Sequence, residues 1–166
     1  MPAYAAFVSS RGRAEAGPPE TDKASYILPY GIEARCAGGA LPRARVMIDE
    51  SSGSTGTPFN WVRSERERAE SHRMIRYFAR YAFGSEPRIV LNGFSMGAWA
   101  TGLNMGLALH GSDVVKNTGP DADKILATLR FFGPRRSYLM LGYPPFMKLL
   151  IDEARRPCPK CGTQRD

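Results

Sequence analysis

Three clusters of residues in this chain have the types and spacing that chemistry requires. The first is Glu50-Ser51-Ser52-Gly53-Ser54-Thr55-Gly56-Thr57-Pro58. Gly53 and Gly56 can take positive φ and let the backbone approach a ligand closely, while Ser51, Ser52, Ser54 and Thr55 supply hydroxyl and N–H donors. Such a loop is suited to wrapping a polyphosphate. It is not a Walker A loop, which places a Lys-Ser/Thr pair directly after its last glycine, where this chain has Thr57-Pro58. The second cluster, Gly93-Phe94-Ser95-Met96-Gly97, has the Gly-x-Ser-x-Gly form in which a tight turn presents a serine that a base could activate. The third, Cys158-Pro159-Lys160-Cys161-Gly162, has the spacing of a zinc knuckle. One knuckle supplies two of the four ligands that a structural zinc site needs, so Cys36, His72, His110 or a second chain would have to complete it.

The hydropathy pattern places these clusters on elements. Residues 43–49 contain Val46-Met47-Ile48 and read as a strand feeding the Gly/Ser loop, with 59–62 continuing as strand on its far side. Ser64-Glu65-Arg66-Glu67 is a capping box, in which serine and glutamate reciprocally satisfy free N–H groups at a helix start. It predicts a helix to about Ala82, with Met74, Ile75, Phe78, Tyr81 and Ala82 on one face and Gly84 as its stop. Further along, 88–92 reads as strand, 98–110 as helix, 113–115 as strand, 120–132 as helix, 137–141 as strand and 145–154 as helix. Strands alternating with helices predict an α/β fold built on a mainly parallel sheet with flanking helices. Residues 1–24 lack apolar periodicity and read as a disordered arm, 25–154 as the folded part, and 155–166 as an atypical Arg/Pro/Cys-rich tail.

Residues 51–58 resemble, almost position by position, the phosphate loop of the adenylate-forming enzymes, the superfamily of acyl-CoA synthetases and phenylacetate–CoA ligases, with its pattern Thr/Ser-Ser-Gly-Thr/Ser-Thr-Gly-x-Pro. The resemblance extends from about Tyr26 to Glu153 through stretches such as Leu91-Asn-Gly-Phe-Ser-Met-Gly-Ala-Trp99 and Leu141-Gly-Tyr-Pro-Pro-Phe146. It implies that a carboxylate attacks the α-phosphate of ATP, pyrophosphate leaves, and coenzyme A captures the acyl adenylate. It also implies that Ser51, Ser52, Gly53, Ser54, Thr55 and Gly56 contact phosphate, with Mg²⁺ offsetting the charge, and that Phe94, Met96 and Trp99 help to line the acyl pocket. Where the family continues with a lysine after the proline, this chain has Phe59. The family's aromatic-Thr-Glu segment, ribose-binding aspartate and C-terminal lysine have no counterpart in residues 60–166. The expectation is therefore a fragment of the N-terminal domain, inactive on its own, whose ligands are a nucleotide and a small carboxylic acid.

Two other readings stand beside it. Ser95 on its turn, between a strand and a helix, has the local setting of the α/β-hydrolase nucleophile elbow. In that fold the acid and histidine follow well after the serine, but His72 precedes it and His110 ends the adjoining helix. A basic or zinc-assisted interaction module using Cys158 and Cys161 is the other. The net charge is +7, with arginine far outnumbering lysine among the 23 basic residues. Arg63, Arg66, Arg68, Arg73, Arg76 and Arg80 are interleaved with Glu65, Glu67 and Glu70, the pattern of a solvated helix face, which argues against nucleic-acid binding. No segment is apolar enough to span a bilayer and the N-terminus lacks a signal-peptide pattern, so the expectation is a cytoplasmic protein without a membrane partner. A slice of a larger domain should also leave apolar surface uncovered and associate with itself.

Overall fold

The computed structural model describes residues 20, 22–51, 53, 56 and 58–156. In chain order its elements are β1 (Val46–Glu50), β2 (Asn60–Ser64), α1 (Glu65–Phe83), β3 (Ile89–Asn92), α2 (Ala100–Leu109), β4 (Val114–Asn117), α3 (Ala122–Phe132), β5 (Tyr138–Leu141) and α4 (Pro144–Arg155). Ahead of β1, Asp22 caps a single π-helical turn, Lys23–Ile27, and two short 3₁₀ turns follow at Glu33–Arg35 and Ala37–Gly39. Asp22 and Lys23, which the sequence reading placed in the arm, belong to this capped turn. Most of that arm, like the Cys158/Cys161 knuckle, lies outside the described residues.

β3 is the axis of the fold. Its four residues are all buried, because an apolar Ile-Val-Leu run can be covered on both faces. β4 and β5 pair with it in parallel, one on each side, in the order β4-β3-β5. Alternation along the strand then divides the core. Ile89 and Leu91 point to one face and pack with Ile125 of α3 and Phe146 and Leu150 of α4. Val90 points to the other, with Leu139 beside it, and packs on Leu109 of α2, against which Ile75 and Ala79 of α1 also rest. The helix after β3 thus lies on one face and the helices after β4 and β5 on the other, as in doubly wound sheets.

The expectation of a mainly parallel sheet holds for these three strands and needs one amendment. β1 and β2 form a separate antiparallel pair, running from Val46 opposite Ser64 to Glu50 opposite Asn60. An eight-to-ten-residue loop returns a chain antiparallel without a crossover helix, which parallel pairing would require. The start of β1 is also later than 43, since Arg45 takes φ 62°, outside the extended region.

The capping box at Ser64 forms as read: the Ser64 hydroxyl accepts from the Glu67 N–H, and the Glu67 carboxylate accepts from the Ser64 N–H. Gly84, at φ 85°, ends α1. The face of α1 divides differently from the expected one. Ile75 and Ala79 reach the core, whereas Met74, Phe78 and Tyr81 lie outward, Tyr81 being 82% exposed. Tyr77 joins them, stacked on Tyr81 and edge-on to Phe78. No helix among the described residues is long and apolar enough to cross a membrane.

Candidate functional site

In a doubly wound sheet the crevice opens outside the carboxyl ends of the strands, where the connections leave toward opposite faces. Here that point lies between β3, which leads to α2, and β5, which leads to α4. The segment after β3 is Gly93 to Trp99, and the one after β5 is Gly142-Tyr143. The sequence motif around Ser95 therefore sits at the mouth of the crevice, for a topological reason that its residues alone do not state.

The Gly/Ser loop is brought to the same edge. The Glu50 N–H donates to the Ala98 carbonyl at 2.8 Å, and Glu50 and Trp99 form an isolated parallel bridge. The last residue of β1 is thereby tied to the segment that enters α2. Across the foot of the loop, the Ser51 N–H donates to the Phe59 carbonyl and the Phe59 N–H to the Ser51 hydroxyl, each at 2.9 Å. Gly53 and Gly56 take φ 64° and 123°, and the Gly56 N–H donates to the Gly53 carbonyl at 2.9 Å. A Cβ on Gly53 would lie 2.7 Å from Pro58 Cγ, so the turn itself requires glycine there. Ser52, Ser54 and Thr55 lie outside the described residues.

Phe94, Met96 and Trp99 stand on the segment that this contact joins to the loop. Phe94 and Met96 are half-buried, and Trp99 is the residue immediately before α2. The segment is held against α2 by close approach: a Cβ on Gly102 would meet the Ser95 carbonyl oxygen at 2.1 Å. Ser95 itself is exposed. His110 ends α2, about 15 Å from its first turn at 1.5 Å per residue, and its Nδ1 bonds to the Leu107 carbonyl oxygen. His72 Nε2 pairs with Asn104 Oδ1.

Residues that the sequence reading passed over fasten the segments around this point. Asn92, fully buried at the end of β3, donates from Nδ2 to the Gly102 carbonyl at 2.7 Å and to Asn117 Oδ1 at 2.9 Å, and accepts from the Phe94 N–H. Its own carbonyl accepts from the Thr118 N–H, the Thr118 hydroxyl and the Gly119 N–H. One amide side chain thus fixes the exits of β3 and β4 and the start of α2, and leaving such a buried group unpaired would cost about 1–3 kcal/mol. The available signal was a polar residue closing the run Ile-Val-Leu-Asn. Gly106 lets Asn117 in, since a Cβ there would stand 2.3 Å from Asn117 Oδ1.

A second polar set docks the hairpin. Asp49, 5% exposed, receives Asn104 Nδ2 at 3.4 Å and lies 3.5 Å from Arg63 Nε. Asn104 in turn meets His72 of α1. Burial holds the His72 imidazole below its usual pKa of 6.5; the bond to Asn104 opposes that, and the charges of Arg68, Arg76 and His110 add to it. Among the described residues no group of three or more His, Cys, Asp or Glu side chains could hold a metal ion. Cys36, half-buried, contacts the Ile32 carbonyl oxygen through Sγ at 3.3 Å.

No protein-family model matches the chain, and no curated protein is similar to it. The class that fold and site define is a small doubly wound α/β unit with a glycine-containing hairpin loop seated at its crevice.

Proposed function

We propose that the chain is part of the N-terminal domain of an adenylate-forming, phenylacetate–CoA ligase-like enzyme, and that its loop, residues 51–56, takes the phosphates of Mg–ATP. The observation that carries the reading is the tie from Glu50 to Ala98 and Trp99, which seats the loop beside the crevice of the parallel sheet. A nucleotide there would find backbone N–H groups and hydroxyls on the hairpin side and the segment bearing Phe94, Met96 and Trp99 on the other. The loop's role would be positioning and electrostatic stabilisation, with Mg²⁺ offsetting phosphate charge. The carboxylic acid and coenzyme A belong to the intact enzyme, and this chain alone would bind nucleotide weakly without turning over. Uncovered surface supports association with further protein: among the described residues β4 and β5 each present an unpaired edge, and Val114 of β4 is 63% exposed.

Titration calorimetry with Mg–ATP on the whole chain tests the reading. The expected result is saturable binding in the high micromolar to millimolar range, abolished by Gly53→Ala, whose methyl group would strike Pro58. Urea unfolding of that variant should match the parent, because the loop lies outside the core. A titration flat to several millimolar nucleotide would remove ATP binding from this chain.

A further inference from the structure

Apart from the loop, the hairpin borders a partly open cavity of about 460 Å³ between β1–β2 and the turns that precede β1. That volume falls in the range that holds small organic ligands. None of the described loop residues lines it; its walls include Tyr26, Ile32, Arg35, Val62, Trp61 and Arg63.

The charges around this cavity are unequally committed. Arg63 lies 3.5 Å from the Asp49 carboxylate, which offsets it. The Glu67 carboxylate is occupied by the Ser64 N–H at 2.9 Å and the Ser64 hydroxyl at 3.0 Å, and these two bonds hold its pKa below the usual range. Arg35 is different. Half-buried, its side chain makes no hydrogen bond or ion pair with a described residue, and its Nε is fully shielded with no acceptor. Among the described residues its guanidinium faces the ring of Trp61, 6.0 Å from guanidinium carbon to centroid, while Arg63 stands 5.9 Å from the same ring. A guanidinium with no ion-pair partner among the described residues, beside an aromatic wall in a cavity of ligand size, favours an anion with a flat apolar body: the charge answers Arg35 and the body lies along Trp61.

We infer that this cavity is a binding site for a small aromatic anion, with Arg35 as its charge partner and Trp61 as its wall, independent of nucleotide binding at the loop. Isothermal titration of the full chain with 2-naphthoate tests it, alongside the neutral 2-naphthamide and the variant Arg35→Gln. The expected result is one saturable site for the acid, weakened about ten- to a hundredfold in Arg35→Gln, the scale of one charge-assisted hydrogen bond. The amide should show the same loss on the unaltered chain, which decides the matter even if the variant folds poorly. No saturation at millimolar naphthoate, or equal affinity for acid and amide, would overturn the assignment. So would unchanged affinity in a folded Arg35→Gln chain.

Discussion

The parallel sheet and the β1–β2 hairpin are built from similar β-forming residues and are stabilised in different ways. In β3 every side chain is buried, and Val90 and Leu91 are sealed between helices on both faces. In the hairpin only Asp49 is buried, and the apolar Ile48 is 45% exposed. The sheet is thus held mainly by apolar area removed from water. The hairpin is docked by a few directional contacts: Glu50 to Ala98, and Asp49 to Arg63 and Asn104. Such an arrangement gives a base of high local stability carrying a hairpin of lower local stability.

The largest test of this contrast is a matched pair of truncations. Leu91→Ala removes a side chain with no exposed surface and should cost about 2–5 kcal/mol in urea unfolding, enough to unfold a marginal domain. Ile48→Ala should cost less than about 1 kcal/mol, since much of that side chain is already in water. Equal losses would erase the distinction between the two regions.

Gly102→Ala asks whether base and site are mechanically joined. The added methyl group would collide with the Ser95 carbonyl, a backbone atom that cannot swing aside. A loss of about 1–3 kcal/mol is expected, together with faster amide exchange in residues 94–99 and at Glu50. Exchange unchanged at Glu50 would mean that the tie to Ala98 does not couple the hairpin to α2.

The smallest effect is that of pH on the junction through His72. Its folded pKa lies below the usual 6.5, so the unfolded chain binds this proton more readily. The resulting contribution to stability is present above pH 6.5 and is lost as pH falls through the depressed folded value. His72→Gln should flatten the unfolding midpoint between pH 7 and 5 while keeping an amide near Asn104. A parent chain whose midpoint rises on acidification over this interval would contradict the sign.

Much of the fold was legible because its signals are local. The Ser64–Glu67 capping box, Gly84 after α1, Pro145 in the first turn of α4 and the Ile-Val-Leu run of β3 each act within one turn or one strand. The positive φ of Gly53 and Gly56 belongs to the same group. What was misread depends on neighbours. Met74, Phe78 and Tyr81 have the spacing of a buried stripe, yet the core accepts the adjacent Ile75 and Ala79, with His72 and Arg76 also turned toward α2. Helical periodicity gives the angle between side chains, while the packing partner selects which angle faces inward.

The candidate site divides along the same line. The sequence by itself determined the loop's chemistry, since hydroxyls, N–H donors and glycines are properties of residues 51–56 wherever they are placed. It likewise determined the rhythm of strands and helices, through interactions that close within a few residues. Only the tertiary structure decided that the first two strands pair antiparallel apart from the main sheet, that Asn92 fastens the exits of two strands and a helix, and that Glu50 meets Ala98 across nearly fifty residues. Those are contacts between distant segments, and their partners are chosen by how the buried faces of the whole chain fit together rather than by any local pattern.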